Sequence, residues 1–131
     1  MITVKEKVRF VETDMMGVVH HSNYFRWFEI ARVEYLKRTG IELLDLIDDG
    51  ILFPITETNC TYISPARFGD DILIETELKE FSKAKLIFTY KVIKESDGTT
   101  LARAQTKNVF TNLDKGIIRL PGKYYERLTS Y

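Results

Sequence analysis

The side chains able to do chemistry fall in a few places: Asp14, the adjacent His20 and His21, Glu29 with Arg32, Cys60, and Lys83 with Lys85. His20 and His21 invite a metal reading. They are the only histidines, neighbours in an extended loop point in different directions, and no further ligand cluster accompanies them, so no metal is expected. His21 could instead line a site or assist proton transfer, as imidazoles do near neutrality. Asp14 stands just ahead of a helical segment, where an aspartate taken alone more often caps or turns the chain than acts on a substrate. Cys60 falls in a segment with strand character and reads as a small buried hydrophobe rather than a nucleophile. Glu29 and Arg32 are three apart on a helix and read as partners of each other or of neighbouring strands, with a catalytic buried Glu29 as the alternative. There is no G-x-S-x-G elbow, no phosphate-binding loop and no dinucleotide fingerprint.

These residues need elements to position them. Thr3 to Val11 reads as a first strand, and Glu12 to His21, which contains Gly17, as a loop. Ser22 or Asn23 can cap a helix running to Thr39, with Gly40 stopping it. Tyr24, Phe25, Trp27, Phe28, Ile30, Ala31, Val33, Tyr35 and Leu36 cover most of its circumference, which predicts a helix buried on nearly all sides. Glu42 to Asp48 reads as a short second helix. Period two then takes over, in Pro54–Ile63, in Asp71–Leu78, in a strand carrying Leu86, Phe88, Tyr90 and Val92, and in Thr100–Thr111 after the hairpin signal Asp97-Gly98. Ala102, Ala104, Thr106 and Asn108 share one face there and leave room for a helix. A sheet wrapped around one helix satisfies this order, and its edges call for dimerisation or higher assembly.

The stretch Val8–Leu36, with Thr13-Asp14, Gly17-Val18-Val19, Asn23-Tyr24 and Glu29-Ile30-Ala31-Arg32, closely resembles the signature of the 4-hydroxybenzoyl-CoA thioesterase family, including the acyl-CoA thioesterases associated with the Tol–Pal envelope system. The block Cys60–Asp71 resembles the same family's entry to its second and third strands. The resemblance implies an α+β hotdog fold, a five-stranded antiparallel sheet wrapped around one long central helix, over a single domain of residues 1–131. It implies hydrolysis of an acyl-CoA thioester, with Asp14 as nucleophile or general base. The backbone N–H of His21 is then the oxyanion donor and Gly17 permits the loop's bend. A helix N-terminus, with unpaired N–H groups and a partial positive charge of roughly half a unit, suits that task. Asn23 and Tyr24 would shape the substrate pocket, and Lys83 and Lys85 would meet the nucleotide of coenzyme A, reaching a neighbour's site in a dimer.

Nineteen basic residues balance nineteen acidic ones, so no global field draws nucleic acid or an anionic membrane. A lone cysteine and the lack of a long apolar run lead to the expectation of a cytoplasmic protein without a membrane span. No cofactor is expected. The partners expected are acyl-CoA or an acyl-carrier protein as substrate, and a second copy in a homodimer that pairs into a homotetramer. The rival readings are a non-catalytic binding module for acyl-CoA or acyl-carrier protein, and a dehydratase of the same fold.

Overall fold

Alternating burial along the strands defines one inner face. Leu86, Phe88, Tyr90 and Val92 are all at most 3% exposed, as are Ile72, Ile74 and Thr76 on the neighbouring strand. The computed structural model describes residues 1–131. Its elements are β1 (Ile2–Lys7), α1 (Ser22–Thr39), α2 (Leu43–Asp48), β2 (Ile55–Tyr62), β3 (Asp71–Phe81), β4 (Lys85–Lys94), β5 (Thr100–Thr111), β6 (Ile117–Ile118) and α3 (Gly122–Thr129). The sheet is antiparallel, in the order β1-β3-β4-β5-β2, with the short β6 on the end of β5. Ala102, Ala104, Thr106 and Asn108 do line the inner face of β5, and α1 lies across that face.

The spacing of Tyr24, Trp27, Phe28, Ala31, Arg32, Tyr35 and Leu36, the buried stripe of α1, is that of one helical face. Phe28 stacks on Tyr90 with ring centroids 4.4 Å apart. The expectation of burial nearly all round is therefore corrected. Phe25 and Ile30 remain 37% and 42% exposed, because the sheet of one chain covers only one side of the helix. Gly40 ends α1 in the left-handed region, at φ 94°, with its N–H returning to the helix carbonyls.

Other expectations need adjustment. The first strand ends at Lys7 rather than Val11: Val8 N–H turns to the carbonyl of Asp70, and Phe10–Glu12 closes a 3₁₀ turn. The residue before α1 is His21, and neither Ser22 nor Asn23 caps the helix. Ser22 Oγ instead lies 2.8 Å from His20 Nδ1, and Asn23 turns back to the loop. The sheet has six strands, not five. The final segment was not anticipated: β6 pairs Ile117 and Ile118 with Thr111 and Phe110, and α3 buries Tyr124 and Leu128. Tyr124 donates its hydroxyl proton to Asp49 and Lys123 pairs with the same carboxylate at 2.8 Å, tying α3 to the end of α2. No helix is long and apolar enough to cross a membrane.

Both outer strands, β1 and β2, leave one edge unpaired. Along β2, Ile55 to Asn59 are exposed on both faces.

Candidate active site

The segment between β1 and α1 is held by its own polar groups. Glu12 is 3% exposed. Its Oε1 accepts the Arg9 N–H at 2.7 Å and its Oε2 accepts the Trp27 indole N–H at 3.0 Å. The Glu12 carbonyl accepts both the His20 N–H and the Asn23 side-chain amide, each at 2.9 Å. One residue thus fastens the loop to the helix from two sides.

Beyond Glu12 the chain makes a tight hairpin. Thr13 bridges Val19, Asp14 N–H donates to Val18 at 2.8 Å, and Gly17 N–H returns to Asp14 at 3.1 Å. Gly17 sits at φ 74°, where a side chain is disfavoured. The Asp14 side chain completes the turn: Oδ1 accepts the N–H groups of Met16 at 2.7 Å and Val18 at 3.2 Å. Oδ2 has no partner within the chain.

The head of α1 presents the other half of the site. The N–H of His21 has no acceptor within the chain, whereas those of Ser22, Asn23 and Tyr24 are satisfied by His20 and His21. The His21 ring stacks on Tyr62 of β2, with centroids 3.7 Å apart and planes within 5°, and the Tyr62 hydroxyl donates to the His21 carbonyl at 3.4 Å. Tyr24 packs edge-on against Tyr62 at 5.1 Å and is 1% exposed. Burial is the leading cause that pushes the phenols of Tyr24 and Tyr62 up to about 12, and it likewise raises the Cys60 thiol. Val18, Val19, His21, Tyr24, Tyr62 and Pro65 are among the lining of a cleft of about 330 Å³ at this point.

Asp14, Gly17, His21, Asn23 and Tyr24 therefore belong to one loop-and-helix unit. Asp14 itself is exposed and stands outside the cleft lining, joined to it through Val18. Asn23 is committed to the Glu12 carbonyl, and its Oδ1 accepts from Arg26 at 3.4 Å. Lys83 and Lys85 lie at the other end of the sheet, beyond the far end of the 11-residue β3, a strand of roughly 33 Å at ~3.3 Å per residue. There Lys83 Nζ sits 5.6 Å above the Tyr125 ring, and Lys85 pairs with Glu80 at 3.4 Å. One chain does not bring them to Asp14. Glu29 and Arg32 do not pair: Glu29 is exposed, while Arg32 is 5% exposed and donates to the Tyr90 hydroxyl at 3.2 Å.

Sequence reasoning missed Glu12 and Tyr62. The only trace of Glu12 in the sequence is an acid two residues before Asp14. Nothing local signals its bond to Trp27.

With this architecture and loop in view, residues 8–128 match the family model of the thioesterase-like superfamily. The chain belongs to that superfamily and is an enzyme of the thioester-hydrolase class. It is similar to the hypothetical protein TT1821 from Thermus thermophilus, whose crystal structure is 37% identical with a TM-score of 0.90 over 98% of this chain and 97% of that one. The DHNA-CoA thioesterase from Staphylococcus aureus is 26% identical, with a TM-score of 0.93 over 98% and 88% of the two chains. The 1,4-dihydroxy-2-naphthoyl-CoA hydrolase of Prochlorococcus marinus is 30% identical over 119 residues, 85% of this chain and 76% of its own length. The fold is the hotdog thioesterase fold, an antiparallel sheet with few helices.

Proposed function

We propose that the protein hydrolyses an acyl-CoA thioester to a free acid and coenzyme A, using the Asp14 carboxylate and the His21 backbone amide. The observation that carries this reading is the unpaired His21 N–H at the head of the 18-residue α1. A donor there, aided by the helix dipole, holds the charge that develops on the thioester oxygen. Asp14 Oδ2 is free to act while Oδ1 is occupied by the turn. It either attacks the carbonyl, expelling the thiolate and leaving a mixed anhydride for water to cleave, or takes a proton from water as that water attacks. Gly17 gives the hairpin its bend, and Tyr24 and Tyr62 wall the cleft that receives the acyl carbonyl.

Asp14 is exposed in a single chain, so the reading includes a homodimer, with pairs forming a homotetramer. Support comes from the open β2 edge and from the uncovered stripe of α1. In such an assembly Lys83 and Lys85 of one copy serve the coenzyme A phosphates at the other's site. Placement in the Tol–Pal-associated branch, a cytoplasmic location and use of an acyl-carrier protein as alternative thiol carrier belong to the same proposal. The first two rest on the motif in Val8–Leu36 and on the composition. The exposure of Asp14 equally suits a binding module without turnover.

A thiol-release assay over a panel of acyl-CoA esters separates these. Release that disappears with Asp14→Asn supports the hydrolase. Tight binding of the esters with no release at any chain length leaves the binding module instead.

A further inference from the structure

A cavity of about 770 Å³ lies away from the Asp14 loop. It sits between α1, α2 and the strand ends of β2, β5 and β6. Its walls are mostly apolar, from Val33, Leu43, Ile47, Ile51, Phe53 and Val109. Into this lining the fold sets a cation. Arg32 is 5% exposed, forms no ion pair, and has a single hydrogen bond, from Nη1 to the Tyr90 hydroxyl. That hydroxyl lies 2.7 Å from Thr106 Oγ1, so the polar seam continues into the sheet without meeting a negative charge.

A buried charge left unpaired costs several kcal/mol, on the order of the desolvation penalty of one ion. The remaining donors of Arg32, Nε and Nη2, have no acceptor in the chain. Neither is sealed from solvent, because the only sealed side-chain polar atom without a partner is Asn108 Oδ1. Asn108 is 1% exposed and lines the same cavity, its side-chain nitrogen being spent on the Phe53 carbonyl at 2.7 Å. One wall thus holds donors without acceptors and an acceptor without a donor. Such an imbalance is expected where a ligand head group and its water complete a network. The other charged groups on the cavity are Lys115 and the exposed Glu29; Glu29, in contact with solvent, is the more screened.

We propose that this cavity binds an apolar molecule carrying a carboxylate, with the acid on Arg32 and the hydrocarbon body against Val33, Ile51 and Val109. A bidentate guanidinium–carboxylate contact answers the unmet charge, and no neutral apolar ligand does. The acid has two possible sources: a free monocarboxylic acid, or the distal carboxylate of an acyl group. Only the second rests on the thioesterase reading.

The test is calorimetric titration of the protein with decanoate and with decan-1-ol, which share a body and differ in the head group. Wild type should bind decanoate the more tightly. Arg32→Gln should weaken decanoate at least about tenfold, the loss of one charged hydrogen-bonding partner, and leave decanol unchanged. Val33→Phe retains the guanidinium but crowds the cavity and should weaken both ligands; it carries the test if Arg32→Gln does not fold. Equal binding of the two ligands to wild type, or decanoate binding indifferent to Arg32→Gln or to Val33→Phe, overturns the proposal. Hydrolysis of decanedioyl-CoA against decanoyl-CoA then identifies the source. A kcat/KM advantage for the diacid that vanishes in Arg32→Gln assigns the carboxylate to the acyl group; decanoate binding without that advantage assigns it to a free acid. Failure to hydrolyse either ester counts against the thioesterase reading and leaves the titration standing.

Discussion

Glu12 Oε2 and the indole nitrogen of Trp27 meet at 3.0 Å in the interior, joining the loop that carries Asp14 to the first turns of α1. The other carboxylate oxygen holds the Arg9 amide, so both oxygens face donors. Glutamine has only one oxygen to offer. Glu12→Gln must turn its NH₂ group toward one of the two N–H donors, and a loss of about 1–3 kcal/mol in urea stability is expected. Trp27 emission should shift, and kcat should fall further than KM rises, by up to about 10²-fold if the loop moves by 1 Å. Unchanged kcat alongside the stability loss would restrict Glu12 to a structural part.

Asp14→Asn behaves differently. Its Oδ1 carries the two turn hydrogen bonds, and asparagine keeps that oxygen. Thermal unfolding should therefore stay near wild type while thiol release drops by at least about 10²-fold, the low end for losing an acid–base or nucleophilic group. Near-normal turnover in a folded Asp14→Asn protein would remove the mechanism.

Gly17 adopts φ 74°, and a Cβ built there meets nothing within 4 Å. Only backbone strain opposes a side chain. Gly17→Ala should cost about 1–2 kcal/mol, read from the urea midpoint, and Gly17→Asn should cost less because asparagine tolerates that region.

Alkali should loosen the head of α1. The Tyr24 phenol is pushed up from 10.0 to about 12, first by burial, so the folded chain holds that proton more tightly than the unfolded one. This contribution is whole below pH 10 and is lost as pH climbs through 12. Tyr62 shifts the same way. Tyr24→Phe should flatten part of the fall in urea stability over that interval; an identical slope in the variant would contradict the assignment.

Lys83→Ala leaves the Asp14 loop untouched, since the two are at opposite ends of the sheet. If a second copy brings Lys83 to the nucleotide, the apparent KM for CoA esters rises and its dependence on salt weakens. No change in either would place the coenzyme elsewhere.

Much of this fold is legible in the sequence because period two in β4 and β5 and the Gly40 stop of α1 are local signals. The bend at Gly17 is legible from the residue type and the family motif, though not the pairing of Thr13 with Val19 that makes the loop a hairpin. Glu12 and Arg32 are not, since what makes each important is a partner far along the chain, Trp27 in one case and Tyr90 in the other. The extent of α1 burial was misjudged for a related reason: aromatic residues around a helix do not tell which of them the chain's own sheet will cover. β6 and α3 went unforeseen because two isoleucines and an amphipathic helix of only eight residues are weak patterns until Asp49 and Phe110 receive them.

The stacking of His21 on Tyr62 ties the head of the helix to the outermost strand. Tyr62 is a residue of β2, whose outer edge is vacant, so any chain that docks along that border also adjusts the ring bracing the amide donor. In the homodimer proposed above, self-association and reactivity would be geared to one another. Dilution that separates the copies should lower activity per chain, even though every residue of the loop remains in place.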